Sequence, residues 1–585
     1  MKQFYDNITL YADFETTSYL QYLAEKETKV YLFGVMNNKN NDFKIGLNIE
    51  SFINYLREIP SYNIICYFHN LAFDGSFILY YLNSVGFVNG EKPQQNVYST
   101  FINQHGQMFT IDLLLGKRRI TFKDSLKKIP LPISKIGDIV GIKKLSEIHN
   151  YEEFKNFKTV SEIPENEIEY LKHDVLILKT AVETFNNDLN FSKNLTSASL
   201  SYKAWLLNFF DEHPTPENYN DVIKNLKNKV QNILPDLDHE IDGFIRRSYR
   251  GGICFVNPKY QNKTVYGKSY DVNSLYPFSM VNRAYPCGQP YFIDKYIKNY
   301  KFQILAVEIS KAKTDKLPFI PFKQIGKSYE YKQDVKDGIY YLWAEEFELL
   351  KKYYTGNFKI LNILYFKSYT NLFDKYINLL YNGKKETTDK GERYIYKLKL
   401  NSFGGKFGTK SMKVRKICKG NTNRVGGLQF EFTEPEETKD KYYCAVASYM
   451  TSQARCYMID KINQNFENFI YTDTDSIYIY GNKIKGIKID NKELGAFKCE
   501  HEFDKGIFLR TKTYLIHDKN TNENIVSCAG CTQNAKDKIN FDNFKVGLKI
   551  EKANLKATQV KGGVVLVPVD FEIKENKRKE KENEN

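Results

Sequence analysis

Tyr471–Tyr480 reads YTDTDSIYIY, and the fold turns on these ten residues. Apolar side chains alternate around the acids with the two-residue period of half-buried strands. The DTD then falls at a hairpin tip, where Asp473 and Asp475 stand at the end of two strands. Two simpler readings compete. A calcium loop needs further oxygen ligands downstream and an EF-hand glycine, and both are missing. A plain polar turn loses to a second segment, SYDVNSLYPFSM at Ser269–Met280. There Asp271 ends a strand, and SLYP turns the chain into a helix.

Carboxylates gathered this way suit two divalent metals, one lowering the pKa of an attacking hydroxyl and one holding a triphosphate. Asp271 and Asp475 are the expected ligands, with Asp473 in a supporting role. Tyr276 stands where a ring can lie under a nucleotide sugar and clash with a 2′-hydroxyl; a core tyrosine at the strand–helix junction is the simpler reading, and both can hold. ERYIYKLKLNSFGGKFG at Glu392–Gly408 spaces Arg393, Lys397 and Asn401 four apart on one helical face. Fixed positive charge there suits a triphosphate. Lys385 extends the stripe unless Gly391 interrupts the helix. LRTKTYLI, Leu509–Ile516, puts Lys512 and Tyr514 on one face of a strand, as candidate contacts to a primer end. In YRGG, Tyr249–Gly252, the glycines Gly251 and Gly252 let backbone approach a template strand.

A separate set of acids lies upstream. ITLYADFETTS, Ile8–Ser18, alternates Asp13 and Glu15 onto one strand face. CYFHNLAFDGSFILYYL, Cys66–Leu82, places Asp74 at a strand–helix junction. EIEYLKHDVLIL, Glu167–Leu178, puts Tyr170 and Asp174 one helical turn apart. Four converging carboxylates stay ionised only if cations neutralise them. Two metals roughly 4 Å apart would do so and would serve phosphodiester hydrolysis, with Tyr170 holding the attacking water.

Composition agrees without deciding. Net charge is +15 from 85 Lys+Arg against 70 Asp+Glu, beside 44 Tyr and 41 Phe. Such a balance suits a polyanion and stacked bases, while A/T-rich coding gives the same bias. The nine cysteines are scattered and odd in number, which favours reduced thiols. Cys528 and Cys531 form a lone CxxC without the further ligands a structural zinc needs. GKS tripeptides at Gly267 and Gly326 lack the earlier glycine of a P-loop. With no signal peptide or long apolar run, the expected location is the cytoplasm of a bacterial host, with no membrane partner.

In chain order, the DxE, NLxFD and YxxxD motifs resemble Exo I, II and III of DnaQ-like proofreading exonucleases. DVNSLYP, KLKLNSFGG, YTDTDS and KTY resemble motifs A, B, C and KxY of family B DNA polymerases. YRGG and two inserted stretches resemble the protein-primed branch of linear-genome bacteriophages and linear plasmids. The resemblance runs from about residue 9 to about 573. It implies an α/β and α+β multidomain fold, an RNase H-like (DnaQ-like) 3′→5′ exonuclease followed by a right-hand palm, fingers and thumb.

The implied layout is exonuclease 1–189, palm 190–282, a terminal-protein-contacting insertion 283–372 and fingers 373–408. A processivity and strand-displacement insertion follows at 409–440, then palm 441–541, thumb 542–573 and a disordered charged tail 574–585. Asp13, Glu15, Asp74 and Asp174 would hold one pair of metals, and Asp271, Val272 and Asp475 the other, with Mg²⁺ foremost and Mn²⁺ as an alternative. His69, Asn70, Phe73, Ser125 and Leu126 would contact single-stranded DNA, with Lys143 or Lys144 assisting. Implied partners are template and primer DNA, dNTPs, a terminal protein as primer and a single-stranded DNA-binding protein. Gly404 departs from the family, which has a tyrosine there; Phe403 or a neighbouring ring is the expected substitute. The competing readings are a nucleic-acid-primed family B repair polymerase and a non-catalytic DNA-binding scaffold.

Overall fold

The computed structural model describes residues 5–39, 42–146, 153–325, 328–438 and 440–574; the charged tail expected after Lys574 lies outside them. The N-terminal sheet is built on three parallel strands, Tyr5–Thr16, Ser61–Phe68 and Arg118–Asp124, with antiparallel strands on either side. Alternation along Tyr5–Thr16 decides which helix each residue meets. Leu10, Ala12 and Phe14 pack with Phe77 and Ile78 of the helix Leu71–Ser84. Tyr11 packs with Val175 and Leu178 of the helix Glu165–Asn186. Asp13 and Glu15 share the parity of Tyr11, so they face the second helix.

The second sheet has seven strands and is antiparallel throughout. Thr264–Val272 lies in it between Phe497–Arg510 and Ser476–Tyr480. The helix Cys444–Asn463, buried along most of its length, packs on this sheet through Met458, Ile459 and Ile462. Two helices, Asp374–Glu386 and Lys390–Phe407, form an antiparallel hairpin in which the Asp389 carboxylate caps the second. They approach closely because residue 383 is glycine: a Cβ there would meet the Tyr396 ring at 2.4 Å. The helix break lies at Thr387–Asp389, and Gly391 is inside the second helix. Lys385 is therefore on a different helix from Arg393 and Lys397, which corrects the expectation of one continuous stripe.

Between the strand Thr264–Val272 and the helix hairpin, strands within 284–370 form a four-stranded antiparallel sheet with the helix Ala344–Tyr353 against it. The other inserted stretch is not self-contained. Its strand Arg415–Gly420 pairs with Val97–Asn103, so it prolongs the N-terminal sheet to ten strands. The hairpin Lys549–Val560/Gly563–Glu572 reaches the same region. Its tip accepts a hydrogen bond from Thr28 N at Lys561 O (3.0 Å) and one from Asn423 Nδ2 at Gln559 O (3.2 Å). Gln559 Nε2 donates to Ser76 Oγ at 2.9 Å. N-terminal domain, second insertion and C-terminal hairpin thus close on one another. Among the described residues no helix is long and apolar enough to cross a membrane.

Candidate active sites

At the N-terminal site the strand Tyr5–Thr16 contributes Asp13 and Glu15, the first turn of Leu71–Ser84 contributes Asp74, and Glu165–Asn186 contributes Asp174. Asn70 enters that helix in the left-handed region, φ +76°, and its N–H donates to Asp124 Oδ1 at 3.0 Å. Desolvation pushes the Asp13 carboxyl well above the carboxylate range; Asp74, Glu15 and Asp174 add to this, and Lys144 opposes it. Asp74 is raised likewise, first by burial, and its Oδ1 is buried without a hydrogen-bond partner. A buried acid with an unused oxygen among other acids has the donor chemistry that suits a cation.

Lys144, not Lys143, meets this cluster: its Nζ lies 2.6 Å from Asp174 Oδ2 and 4.9 Å from the Tyr170 ring centroid. Burial works against the ammonium, but Asp174 holds it above the usual lysine value. Two expected DNA contacts, Ser125 and His69, are engaged within the protein. Ser125 is fully buried, its hydroxyl bonded to Phe68 O and His69 Nδ1. His69 Nε2 is bonded to Leu131 O at 2.8 Å. Both side chains brace the loop, because the residues after Phe68 and Asp124 must satisfy each other where two parallel strands end. Asn70 is exposed, and Phe73 and Leu126 are half-buried.

In the seven-stranded sheet, Asp271 pairs in register with Ser476, and Val272 N donates to Asp475 O at 2.9 Å. The strand-end acid and the hairpin acid are thereby held side by side. Burial, then Asp475 and Glu500, push Asp271 up to about 7, against Lys498. Burial and Asp473 raise Asp475 as well. Thr474 is left-handed, φ +64°, and a Cβ on Gly252 would meet its Cγ2 at 2.7 Å. The second YRGG glycine therefore admits the acidic turn, while Gly251 faces open space. Lys512 is not in a strand as expected: with Thr511 it forms the two-residue turn before Thr513–Asp518 and takes φ +58°. Its Nζ reaches Asp473, and Tyr514 OH bonds Tyr478 OH at 2.8 Å.

A cavity of about 290 Å³ is lined by Tyr249, Tyr276, Met280, Asn401, Gly404 and Met450 among others, and its Tyr276 feels the charges of Asp475 and Asp473. Arg393, Lys397 and Asn401 are exposed along one face of Lys390–Phe407. The lysine of the neighbouring helix that lies near Arg393 and Lys397 is Lys384, lowered by burial and by those two cations, with Nζ 3.3 Å from Ser274 Oγ. Lys385 is exposed and acts on Asp490. A basic residue one position from the expected one was open to sequence reading only with the helix break known. Among the described residues no group of three or more His, Cys, Asp or Glu stands in a metal-holding arrangement.

The model of DNA polymerase type B, organellar and viral, matches residues 132–493. The DNA polymerases of Bacillus phages PZA and phi29 are 32% identical over 96% of this chain and 98–99% of theirs. This chain is a type B DNA polymerase. The DNA polymerase of Streptococcus phage Cp-1 is 29% identical over 96% of the chain and 98% of its own length. The polymerase also superposes on the phi29 DNA polymerase complexed with primer-template DNA and incoming nucleotide, with TM-score 0.84 and 30% identity over 97% and 100% of the two chains. The fold is thus the expected one, a 3′→5′ exonuclease domain followed by palm, fingers and thumb. Polymerases of this family need divalent metal ions.

Sequence reading missed the residue that ties the sheet of residues 284–370 to the YRGG segment and the helix Cys444–Asn463. Glu346 is completely buried, with Oε1 3.0 Å from Arg250 Nη2 and 2.8 Å from Arg455 Nη2. Arg455 Nη1 also donates to the carbonyls of Arg250 and Gly251. Burial opposes the Glu346 charge, but the two guanidiniums hold its carboxyl below the usual range. Only the arginine of YRGG gave any signal of this.

Proposed function

We propose that this polymerase starts each strand on the hydroxyl of a terminal protein, copies a linear viral or plasmid genome with strand displacement, and trims mispaired ends at its N-terminal site. The priming reading is carried by the placement of the sheet spanning 284–370. That insertion is anchored through Glu346 to Arg250 and Arg455, and its Tyr329 lines the same cavity as Tyr276 and Asn401. A folded platform fixed at the mouth of the nucleotide site suits a primer that arrives as a folded protein.

Two divalent cations at each centre fit the donors, Asp271, Val272 and Asp475 in the palm and Asp13, Glu15, Asp74 and Asp174 upstream. When bound they supply Lewis-acid stabilisation and a more acidic attacking oxygen. The protein does the rest. Arg393, Lys397 and Asn401 bind and orient the triphosphate, joined by Lys384 and by Lys385 as the helices move. Tyr276 fills the room a 2′-hydroxyl would need. Lys512 and Tyr514 hold the primer end, with Asp473 setting the lysine. At the other centre, Tyr170 and Lys144 position the attacking water, and Asn70, Phe73 and Leu126 receive the frayed strand. The closed contact of exonuclease, second insertion and thumb supports encirclement of DNA. The phi29 polymerase bound to primer-template DNA and nucleotide supports the same ligands here.

The test is to incubate the enzyme with a candidate terminal protein, labelled dATP and Mg²⁺. Label transferred to that protein supports protein priming. Extension of a DNA primer with no transfer favours the nucleic-acid-primed alternative.

A further inference from the structure

The nucleotide cavity has a floor that no polymerase motif supplies. Where the resemblance expects a tyrosine, the chain has Gly404, and the expected substitute does not serve. Phe403 is completely buried, with ring centroids 5.0 Å from Tyr376, 5.5 Å from Phe373 and 5.7 Å from Trp205. It belongs to the aromatic core behind the helix, because adjacent helical residues point about 100° apart. Gly404, next in sequence, faces the cavity.

What fills the space beside Gly404 is Met450, from the buried helix Cys444–Asn463. A Cβ built on Gly404 would stand 2.2 Å from Met450 Sδ, 2.7 Å from its Cε and 3.7 Å from Met280 Sδ. No larger residue at 404 fits while Met450 keeps this position. Both methionines line the cavity with Tyr276 and Asn401, and both are almost wholly buried, 4% and 1% exposed. Met450 is held from two sides. Ser448 accepts from Trp343 Nε1 at 2.9 Å two residues before it, and Arg455 is locked to Glu346 five residues after it.

We infer that Met450 is a specificity-determining residue for nucleotide selection, its thioether forming the apolar surface that meets the nascent base pair. The inference rests on the reading of this cavity as the nucleotide site. Gly404 and Met450 are then one exchange written at two positions: the helix gives up its side chain, and the facing helix supplies the contact. The chemistry differs from that of a tyrosine. A phenol is flat and carries a donor, whereas a thioether is polarizable, adaptable and without a donor. Discrimination at this surface therefore comes from shape and dispersion alone.

The experiment measures KM and kcat for correct and mismatched dNTPs in Met450→Ala, Met450→Leu, Gly404→Ala and the double variant Gly404→Ala/Met450→Ala. Tyr276→Val runs in parallel, and single-strand degradation and Tm report folding. Met450→Ala should raise KM for the correct dNTP and narrow the correct-to-mismatch ratio by about tenfold, the scale of losing a few pocket atoms. Met450→Leu should recover most of that loss. Gly404→Ala should press on the thioether and lower kcat/KM, and Met450→Ala should relieve that defect in the double variant. If Met450→Ala leaves KM and the mismatch ratio within about twofold, less than any expected pocket loss, while Tyr276→Val raises ribonucleotide use, the inference fails and the site reading stands. If neither variant has an effect, both fail. Should Met450→Ala not fold, Met450→Leu and Gly404→Ala decide, and effects that simply multiply overturn the proposal.

Discussion

Lys512 Nζ lies 2.7 Å from Oδ2 and 2.9 Å from Oδ1 of Asp473, so a tight turn at one palm edge clamps the first acid of the DTD hairpin. The exonuclease site repeats the device with Lys144 and Asp174. Each centre thus pairs one acid with a lysine. Lys512→Ala should weaken primer extension and raise KM for primer-template by roughly 10–100-fold, the usual scale for partners of metal-site acids. Lys144→Ala should do the same to single-strand degradation alone. Steady-state assays of both activities on both variants check this; crossed effects would contradict it.

The two centres use different acids, so they should separate cleanly. Asp475→Ala should abolish extension and leave single-strand degradation intact, and Asp13→Ala should do the reverse. Loss of both activities in either folded variant would show that the two-site assignment is wrong.

Crowded acids without a cation destabilise the fold around them. Asp74→Asn should raise thermal stability in chelator by about 0.5–2 kcal/mol, the range seen when a strained functional site is relaxed. Mg²⁺ should raise Tm in the wild type, and less in that variant. Calorimetry with and without Mg²⁺ reads both, and an unchanged Tm in chelator would count against the clustering.

Glu346→Ala leaves two buried guanidiniums facing each other, and should cost about 3–5 kcal/mol. Glu346→Gln keeps the volume and an acceptor and should cost less. Denaturant unfolding of both variants gives the order, and equal losses would mean that packing, not charge, matters there.

Lys128 gives a pH signature. It is buried, its Nζ donates to Phe191 O at 2.9 Å, and burial, then Lys123, lower it from 10.5 to about 7. The unfolded chain therefore binds more protons between about pH 7 and 10.5, and stability rises with pH across that window. Lys128→Met should stabilise the protein at pH 7, with a gain that shrinks toward pH 10. Urea midpoints at both pH values test this, and a gain independent of pH would refute it.

What was legible in the sequence follows the reach of each signal. Strand alternation placed Asp13 with Glu15, and the strand–turn–helix pattern placed Asp74 and Asp271, because one or two elements decide those positions. The burial of Ser125 was not legible because its partner His69 lies 56 residues away. The choice between Lys384 and Lys385 depends on helix packing that spacing cannot show. Glu346 meets its arginines across 96 and 109 residues, and Arg415–Gly420 pairs with the still more distant Val97–Asn103; neither carries a local pattern. Met450 was invisible for the same reason, although the anomaly at Gly404 marked where to look.

The strand Arg415–Gly420 has a practical consequence for anyone wishing to simplify this enzyme. Cutting away the first 189 residues would strip that strand of Val97–Asn103 on one side, leaving it paired only with Gln429–Phe432 and with an open, aggregation-prone edge. It would also remove the surface on which the C-terminal hairpin rests. A variant without editing must therefore be made by substitution within the intact chain, and a minimal fragment is not a workable route.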